Sequence, residues 1–355
     1  MKKILCVLLA LCMVLSFAAC TGGGTTPGGE DKTLVGVSMP TQDLQRWNQD
    51  GANMKSELEK AGYSVDLQYA NNDVATQVSQ VENMIANGAD VLVIAAIEGD
   101  SLGAVLATAK ENNIPVIAYD RLLMNTDAVS YYATFDNYMV GTIQGQYVEE
   151  QLKLADGGKY NIEFTAGDPG DNKALYFYQG AVDVLQKYID NGTLTVVSGQ
   201  TDFAEVATAA WSSETAQTRA EAILASFYAD GTQLDAWLCS NDSTAQGVVT
   251  ALTSSYTGSY PVVTGQDCDI VSVKNILAGT QSMSIFKDTR TLAAQTVKMV
   301  GQILSGATVD VNDTKSYDNG TGIIPTYLCS PVFADINNYE SLLIESGYYT
   351  ADQLK

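Results

Sequence analysis

The sequence predicts an α/β protein with two doubly wound parallel-sheet lobes. Short apolar runs of strand length alternate with helix-length segments along most of the chain. This alternation is typical of parallel sheets that are covered by helices. It occurs in two sets of similar size, and 355 residues are enough to bury two cores. Two such lobes in one chain imply a cleft between them.

The first set runs from Thr33 to Asp120. Its predicted strands are TLVGVSMP, YSVDLQYA, DVLVIAA and IPVIAYD. The first predicted helix extends from Leu44 to Ala61. The second carries the apolar stripe Val74, Val78, Val81 and Ile85, and the third carries the stripe Leu102, Val105, Leu106 and Ala109. Gly62 and Gly88 end the first two helices. DVLVIAA is apolar throughout, which is typical of a strand buried on both faces.

The second set begins after SYYATFD. Its predicted helices cover residues 138–154, 174–190, 214–228 and 244–254. Its predicted strands are NIEFTAG, LTVVSGQ, LDAWLCSND and YPVVTGQD. Ligands of open parallel sheets bind beyond the carboxyl ends of the strands, so polar residues at those ends are the candidates for a site.

Charge and composition exclude several classes of function. The chain carries 41 Asp plus Glu against 19 Lys plus Arg, a formal charge of −22. Such a surface repels a phosphate backbone, so no nucleic-acid partner is expected. The sequence contains no histidine, the commonest general base and metal ligand. This argues against an enzyme.

The amino terminus has the layout of an export signal. Lys2 and Lys3 precede the apolar run ILCVLLALCMVLSF, and small residues follow. The run is too short for a spanning helix. FAAC resembles a bacterial lipobox, which predicts a signal peptide over 1–19 and lipidation of Cys20; an ordinary signal peptide is the alternative. The glycine-rich residues 20–33 would tether the protein to the outer face of the cytoplasmic membrane.

The remaining cysteines and acids indicate no cofactor. Cys239, Cys268 and Cys329 are odd in number and scattered, so they are interpreted as buried apolar residues rather than as metal ligands or disulfides. DPGDN and QDCD lack the spacing of a calcium loop. The glycines of TGGG follow no strand and so form no nucleotide loop. No metal and no cofactor are expected.

Polar residues stand just past the apolar runs. They are Arg46 and Trp47, Asp120 and Arg121, Asn172, Asn241 and Asp242, Asp267, and Lys287. The set contains no nucleophile beside a base. It offers fixed donors and acceptors together with a flat indole face, which suits a sugar, whose hydroxyls donate and accept while its C–H faces pack on an aromatic ring.

Each of these residues has a structural alternative. Trp47 could belong to the core. Asp120 and Arg121 could form a solvated surface pair. Asn172 could be a turn or cap residue, and Asn241 with Asp242 could cap the helix STAQGVVTAL. Lys287 and Asp288 could only begin a helix. Their convergence on strand ends of two lobes favours a binding site.

The order of the motifs resembles a known family. RW, AYDRL, YYATFDN, GDPGDN, SNDSTAQG, VVTGQD and FKDTR follow one another as in the sugar-binding proteins of bacterial ABC importers, in the ribose and xylose branch. The multiple-monosaccharide-binding proteins are the most similar group. The resemblance extends from Leu34 to the C-terminal SGYYTADQLK.

The resemblance implies a type I periplasmic binding fold, crossed three times by the chain, near Asp136, Lys287 and Ser305. The first lobe would comprise residues 34–136 plus 287–305 and the second residues 137–286 plus 306–355. The segment TGIIPTYLCSPVFA would end in the second lobe.

The resemblance also assigns sugar contacts. They are Arg46, Trp47, Asp120, Arg121, Asn172, Asn241, Asp267 and Lys287, with Trp211 as an opposing aromatic wall. Trp211 lies in AAWSSETAQ, which lacks the basic residue that precedes this tryptophan in similar proteins.

Three functions follow from this reasoning. The first is a monomeric, lipid-anchored receptor that captures an aldopentose or aldohexose, such as xylose, arabinose, galactose or glucose, and delivers it to an ABC-type permease. The second is a receptor that presents its closed form to a chemotaxis or sensor-kinase partner. The third, a sugar-processing enzyme, would need an acid pair flanking a glycosidic bond and is not favoured.

Overall fold

The computed structural model describes residues 33–355. The predicted signal peptide, Cys20 and the tether up to residue 32 lie outside the described residues. Within residues 33–355, no helix is both long and apolar enough to span a bilayer. Cys239, Cys268 and Cys329 are free and buried, which confirms that they are buried residues outside any disulfide.

The elements alternate as the sequence predicts. The strands are β1 (Leu34–Met39), β2 (Ser64–Tyr69), β3 (Val91–Ile94), β4 (Val116–Tyr119), β5 (Val129–Phe135), β6 (Tyr160–Thr165), β7 (Leu194–Val196), β8 (Ala236–Cys239), β9 (Val262–Val263), β10 (Met283–Phe286), β11 (Thr326–Cys329) and β12 (Val332–Asp335). The helices are α1 (Gln45–Lys60), α2 (Val74–Ala86), α3 (Gly103–Glu111), α4 (Asn137–Gln151), α5 (Asn172–Asp190), α6 (Phe203–Val206), α7 (Ser213–Phe227), α8 (Asp242–Ser255), α9 (Ile270–Ala278) and α10 (Thr289–Ser305).

The first lobe is built on a six-stranded sheet in the order β11-β5-β4-β3-β1-β2. All of its strand pairs are parallel. Alternate residues of β3 enter opposite cores: Val91 and Val93 pack in one cluster, and Leu92 and Ile94 pack in the other. This confirms that DVLVIAA is a strand buried on both faces.

The second lobe contains a parallel sheet in the order β7-β6-β8-β9. A bridge between Gln266 and Ile285 joins the end of this sheet to β10. The pair β10 and β12 is antiparallel, a feature that the sequence pattern did not predict. The prediction of two doubly wound sheets is therefore confirmed, with one antiparallel edge added in the second lobe.

The chain changes lobe at three places. It leaves the first sheet after β5, at Asp136, and returns after β10, where α10 packs on α1 of the first lobe. The third change is not near Ser305, as the resemblance implied. β11 pairs with β5 of the first lobe and β12 pairs with β10 of the second, so the chain crosses between Cys329 and Val332. Residues 306–329 accordingly belong with the first lobe.

Candidate functional site

A pocket lies between the two lobes, at the carboxyl ends of their strands. Its lining contains every sugar contact that the resemblance assigns except Asn172; Asp242, a further strand-end candidate, does not line it either. The lining residues are Leu44, Arg46, Trp47, Asp120, Arg121, Asp171, Lys173, Phe177, Trp211, Asn241, Ser243, Gln266, Asp267, Asp269 and Lys287. The placement agrees with the expectation that ligands of parallel sheets bind beyond the strand ends.

The backbone at three of these residues adopts the left-handed region. Asp120 has φ of 58°, Asp267 of 99° and Trp211 of 55°. Asp tolerates this region, but a bulky residue such as Trp adopts it at a cost of about 1–3 kcal/mol. Gly167 makes room for the indole, because a Cβ there would lie 1.9 Å from Trp211. The conformation of Trp211 is thus held by its surroundings and directs the indole into the pocket.

A network of buried ion pairs connects the lobes. Arg46 of the first lobe donates from Nη2 to Asp120 Oδ1 at 2.9 Å and from Nη1 to Asp267 Oδ1 of the second lobe at 2.9 Å. Lys173 of the second lobe donates to the other oxygen of Asp120. Lys287 Nζ lies 3.0 Å from Asp267 Oδ1. Charges taken out of water must be paired, and here each carboxylate has cations on two sides.

The surroundings set the protonation of these carboxylates. Burial by itself would raise the pKa of Asp120, but Arg46, Lys173 and Lys287 outweigh it and hold that pKa well below its ordinary value. At Asp267, burial would also raise the pKa. The positive charges of Lys287 and Arg46 outweigh burial there, so the pKa of Asp267 is lowered. Both groups are therefore ionised acceptors at neutral pH.

Asp120 and Arg121 do not pair with each other, although they are adjacent. Arg121 donates from Nη1 to the carbonyl oxygens of Ala96 and Ile97, both at 3.0 Å. Its Nε lies 3.0 Å from Asp171 Oδ2 of the second lobe. Asp120 is 1% and Arg121 5% exposed. The alternative of a solvated surface pair is wrong.

Aromatic rings complete the pocket. Trp47 is 3% exposed and packs in the first core, so it serves the core while it also lines the pocket. The guanidinium of Arg121 lies 5.1 Å from the centre of its ring. On the second lobe, Phe177 and Trp211 meet edge to face, with centroids 6.2 Å apart. The pocket is thus lined by an indole from each lobe.

Asn241 combines a helix-capping role with a place in the pocket, whereas Lys287 lines the pocket without capping a helix. Asn241 Oδ1 accepts from the backbone nitrogen of Thr244 at 2.9 Å and so caps α8. Asp288, not Lys287, caps α10, by accepting from the backbone nitrogen of Arg290. Lys287 is 2% exposed and faces Asp267.

Asn172 is the predicted residue that does not line the pocket. It is the first residue of α5, and its Nδ2 donates to the sulfur of Met124 at 3.3 Å. The neighbours on either side line the pocket instead. Asp171 caps the helix by accepting from the backbone nitrogen of Lys173. The sequence predicted that this helix starts at residue 174, so Asp171 and Lys173 were not expected at its first turn. Reading Asp171 as the N-cap would have placed the start of the helix at Asn172.

The sequence reasoning missed several further lining residues. Besides Asp171 and Lys173, they are Leu44, Phe177, Ser243, Gln266 and Asp269. Phe177 lies one helical turn after Lys173, so the helix periodicity of α5 could have found it. Gln266 and Asp269 flank Asp267 in GQDCD, but nothing in the sequence says which of these side chains turn inward.

Asp269 differs from the other carboxyls of the site. Burial, and next the charge of Asp267, raise the pKa of Asp269 to about 7. Its backbone nitrogen donates to Asp242 Oδ2 at 2.8 Å, and the pKa of the buried Asp242 is also raised, first by burial and then by Asp269. Both acids therefore keep their protons to a higher pH than an ordinary aspartic acid does. Within residues 33–355, no group of His, Cys, Asp and Glu is placed to hold a metal ion.

Known proteins are similar to this chain over most of its length. Residues 35–308 match a family model described as a periplasmic binding protein domain. The chain is 48% identical over 338 residues to the multiple sugar-binding periplasmic protein SbpA of Azospirillum brasilense, covering 94% of each chain. It is 49% identical over 330 residues to the multiple sugar-binding periplasmic receptor ChvE of Rhizobium radiobacter, covering 92% of this chain and 93% of the relative.

A solved structure is also similar. It is an ABC transporter solute binding protein from Clostridium phytofermentans with bound β-D-glucose, 69% identical in sequence. The match covers 91% of this chain and 100% of that chain, with a TM-score of 0.90.

Proposed function

We propose, from the premise that this chain belongs to the periplasmic binding protein family, that it captures a monosaccharide between its lobes and delivers it to an ABC-type sugar permease. The family model covers residues 35–308, and the similar proteins include multiple sugar-binding ones. The resemblance drawn from the sequence motifs and the type I fold are thus confirmed. Capture of a particular sugar and its delivery are the proposal.

The observation that carries the proposal is the buried pocket, lined by groups of both charges, with an indole on each lobe. Arg46, Arg121, Lys173 and Lys287 supply cationic donors, and Asp120, Asp171, Asp267 and Asp269 supply carboxyls. An uncharged polyol can engage both kinds of group, and charged partners make the stronger hydrogen bonds. An anionic or cationic ligand would pair with only one of these two sets and leave buried charges of the other without partners.

The choice of sugar rests on a similar protein and on the groups that line the pocket. The Clostridium phytofermentans protein holds β-D-glucose, which makes D-glucose the first candidate, followed by D-xylose, L-arabinose and D-galactose. Trp47 and Trp211 would pack against the C–H faces of the ring, and the charged groups would bind its hydroxyls. No bond is made or broken in this proposal.

The location and the assembly belong to the proposal as well. The export signal and Cys20 would place the protein outside the cytoplasmic membrane as a lipid-anchored monomer. Cys20→Ser should release it from the membrane fraction and leave sugar binding intact. Retention of that variant in the membrane fraction would contradict the anchor.

Capture is tested by a thermal-shift panel of free monosaccharides, because a ligand that binds only the folded state raises the melting temperature. Delivery is tested by sugar uptake in cells that lack the gene. Uptake should fall and return with the parent chain. Unchanged uptake, with binding intact, would reject delivery and retain capture.

A further inference from the structure

The C-terminal segment SGYYTADQLK makes contacts that the pocket does not explain. Tyr349 is 4% exposed, and its ring packs in a core of the second lobe with Cys268, Val273, Phe286 and Leu343. It does not line the pocket. Its hydroxyl, however, reaches the first lobe.

That hydroxyl is fully used as a hydrogen-bonding group. It accepts from Nε2 of Gln45 at 2.6 Å and from Nε2 of Gln49 at 2.9 Å, both on α1 of the first lobe. It donates to the carbonyl oxygen of Cys268, in the second lobe, at 2.9 Å. A tyrosine hydroxyl has one proton and two lone pairs, so all three are occupied. One oxygen atom therefore bridges the lobes.

The bridged positions lie next to the pocket residues. Gln45 directly precedes Arg46 and Trp47 on α1, and Cys268 directly follows Asp267. Gln45 makes a second link across the cleft, because its Oε1 accepts from the backbone nitrogen of Ile270 at 3.1 Å. The bridge holds the beginning of α1 against the loop that carries Asp267.

Tyr348 supports the same helix from the side of α10. Its hydroxyl donates to Oε1 of Gln49 at 3.1 Å and lies 3.1 Å from Oγ1 of Thr289. The amide of Gln49 is thereby engaged at both ends, by Tyr348 and by Tyr349. The guanidinium of Arg290 covers the ring of Tyr348 at 4.9 Å. The side chains next to the bridge are therefore held in place by further contacts.

We propose that Tyr349 is a positioning residue: through Gln45 and Gln49 it holds α1, with Arg46 and Trp47, in the closed arrangement, and so sets sugar affinity without touching sugar. The inference rests on the proposed function. A ligand that contacts both lobes binds the closed form, and its apparent affinity falls in proportion to the fraction of molecules that can close. Contacts that stabilise closure outside the pocket therefore raise the affinity for every sugar by one common factor.

Tyr349→Phe tests this while keeping the ring in its core. Loss of the bridging hydroxyl removes three hydrogen bonds and should weaken the binding of each sugar by about 3- to 30-fold. The factor should be equal across sugars, the ranking of sugars should be unchanged, and dissociation should be faster. A polar contact inside the pocket would instead alter the ranking.

Tyr147→Phe is the matched control. Tyr147 is also buried, and its hydroxyl donates to the carbonyl oxygen of Ser282 within the second lobe at 3.1 Å. This variant loses a buried tyrosine hydroxyl but no link between lobes, so its affinity should equal that of the parent. In addition, Gln49→Ala combined with Tyr349→Phe should cost less than the sum of the single changes, since both remove the same bridge.

Two measurements separate the outcomes. In calorimetry, parent-like affinity of Tyr349→Phe, or a loss confined to some sugars, overturns the inference. If the parent binds no sugar, the proposed function fails. In that case, X-ray scattering of the sugar-free proteins tests whether Tyr349 holds the lobes together. Tyr349→Phe should have a larger radius of gyration than the parent and Tyr147→Phe. Equal radii for all three proteins overturn it.

Discussion

Nη1 of Arg46, from the first lobe, lies 2.9 Å from Oδ1 of Asp267 in the second lobe, and Nζ of Lys287 lies 3.0 Å from the same oxygen. Arg46 also binds Asp120, which pairs with Lys173 across the cleft. The groups offered to a ligand are thus the groups that join the lobes. We therefore predict that sugar binding and lobe closure are coupled, because a ligand that contacts both lobes favours the state in which both contacts are made.

Asp120→Ala and Arg121→Ala should each weaken sugar binding by about one to two powers of ten. Hydrogen bonds to charged groups contribute about 1.5–3 kcal/mol each, and about 1.4 kcal/mol corresponds to a factor of ten. Titration calorimetry with the tightest sugar of the panel measures the loss. Parent-like affinity of both variants would mean that the sugar binds elsewhere.

Lys173→Met should lower sugar affinity by about tenfold or more, because it removes a cation from the pocket and leaves Asp120 with one fewer partner. Asn172→Ala, one residue away, should stay within about twofold of the parent, as is usual for a side chain outside the site. The two variants make a matched pair in the same helical turn. Equal losses, or a larger loss for Asn172→Ala, would contradict the placement of α5.

Asn172 and Lys173 also show which features of the site could not be predicted from the sequence. The order of strands and helices and most polar residues of the pocket could be predicted, because strand ends of parallel sheets share one edge. The direction of a side chain at a helix start could not, since a shift of one residue rotates it by about 100°. The resemblance assigned Asn172, in the turn GDPGDN, whereas Asp171 and Lys173 on either side of it line the pocket.

The third crossing illustrates a second limit. TYLC and VFAD are both short apolar runs, and nothing in their composition says which sheet each one joins. The structure places β11 beside β5 and β12 beside β10. Strand pairing is decided by tertiary packing, so the segment between Ser305 and Thr326 could not be assigned to a lobe from the sequence.

Trp47→Ala should reduce the affinity for all pyranoses, with little dependence on the orientation of individual hydroxyls. An aromatic platform contacts the C–H face of the ring, which these sugars share. Competition binding across the panel checks this. A variant that loses one sugar but keeps its epimer would show that Trp47 acts through hydroxyl recognition instead.

Asp269→Asn should make stability less dependent on pH. The folded chain holds the proton of Asp269 up to about pH 7, whereas the ordinary pKa is 3.8. Between these values the unfolded chain binds fewer protons, so the free energy of unfolding falls as pH rises, and the penalty is complete above the folded-state pKa. Melting temperatures should therefore decline from pH 5 to 8 in the parent and decline less in the variant. Parallel curves would contradict the raised pKa.

The most direct test of the central claim is titration calorimetry of D-glucose into the exported, lipid-free form of the protein, Cys20→Ser. Capture between the lobes predicts saturable binding of one sugar per chain, which is weakened at least about tenfold by Asp120→Ala. The absence of binding by D-glucose, D-xylose, L-arabinose and D-galactose alike would contradict the account.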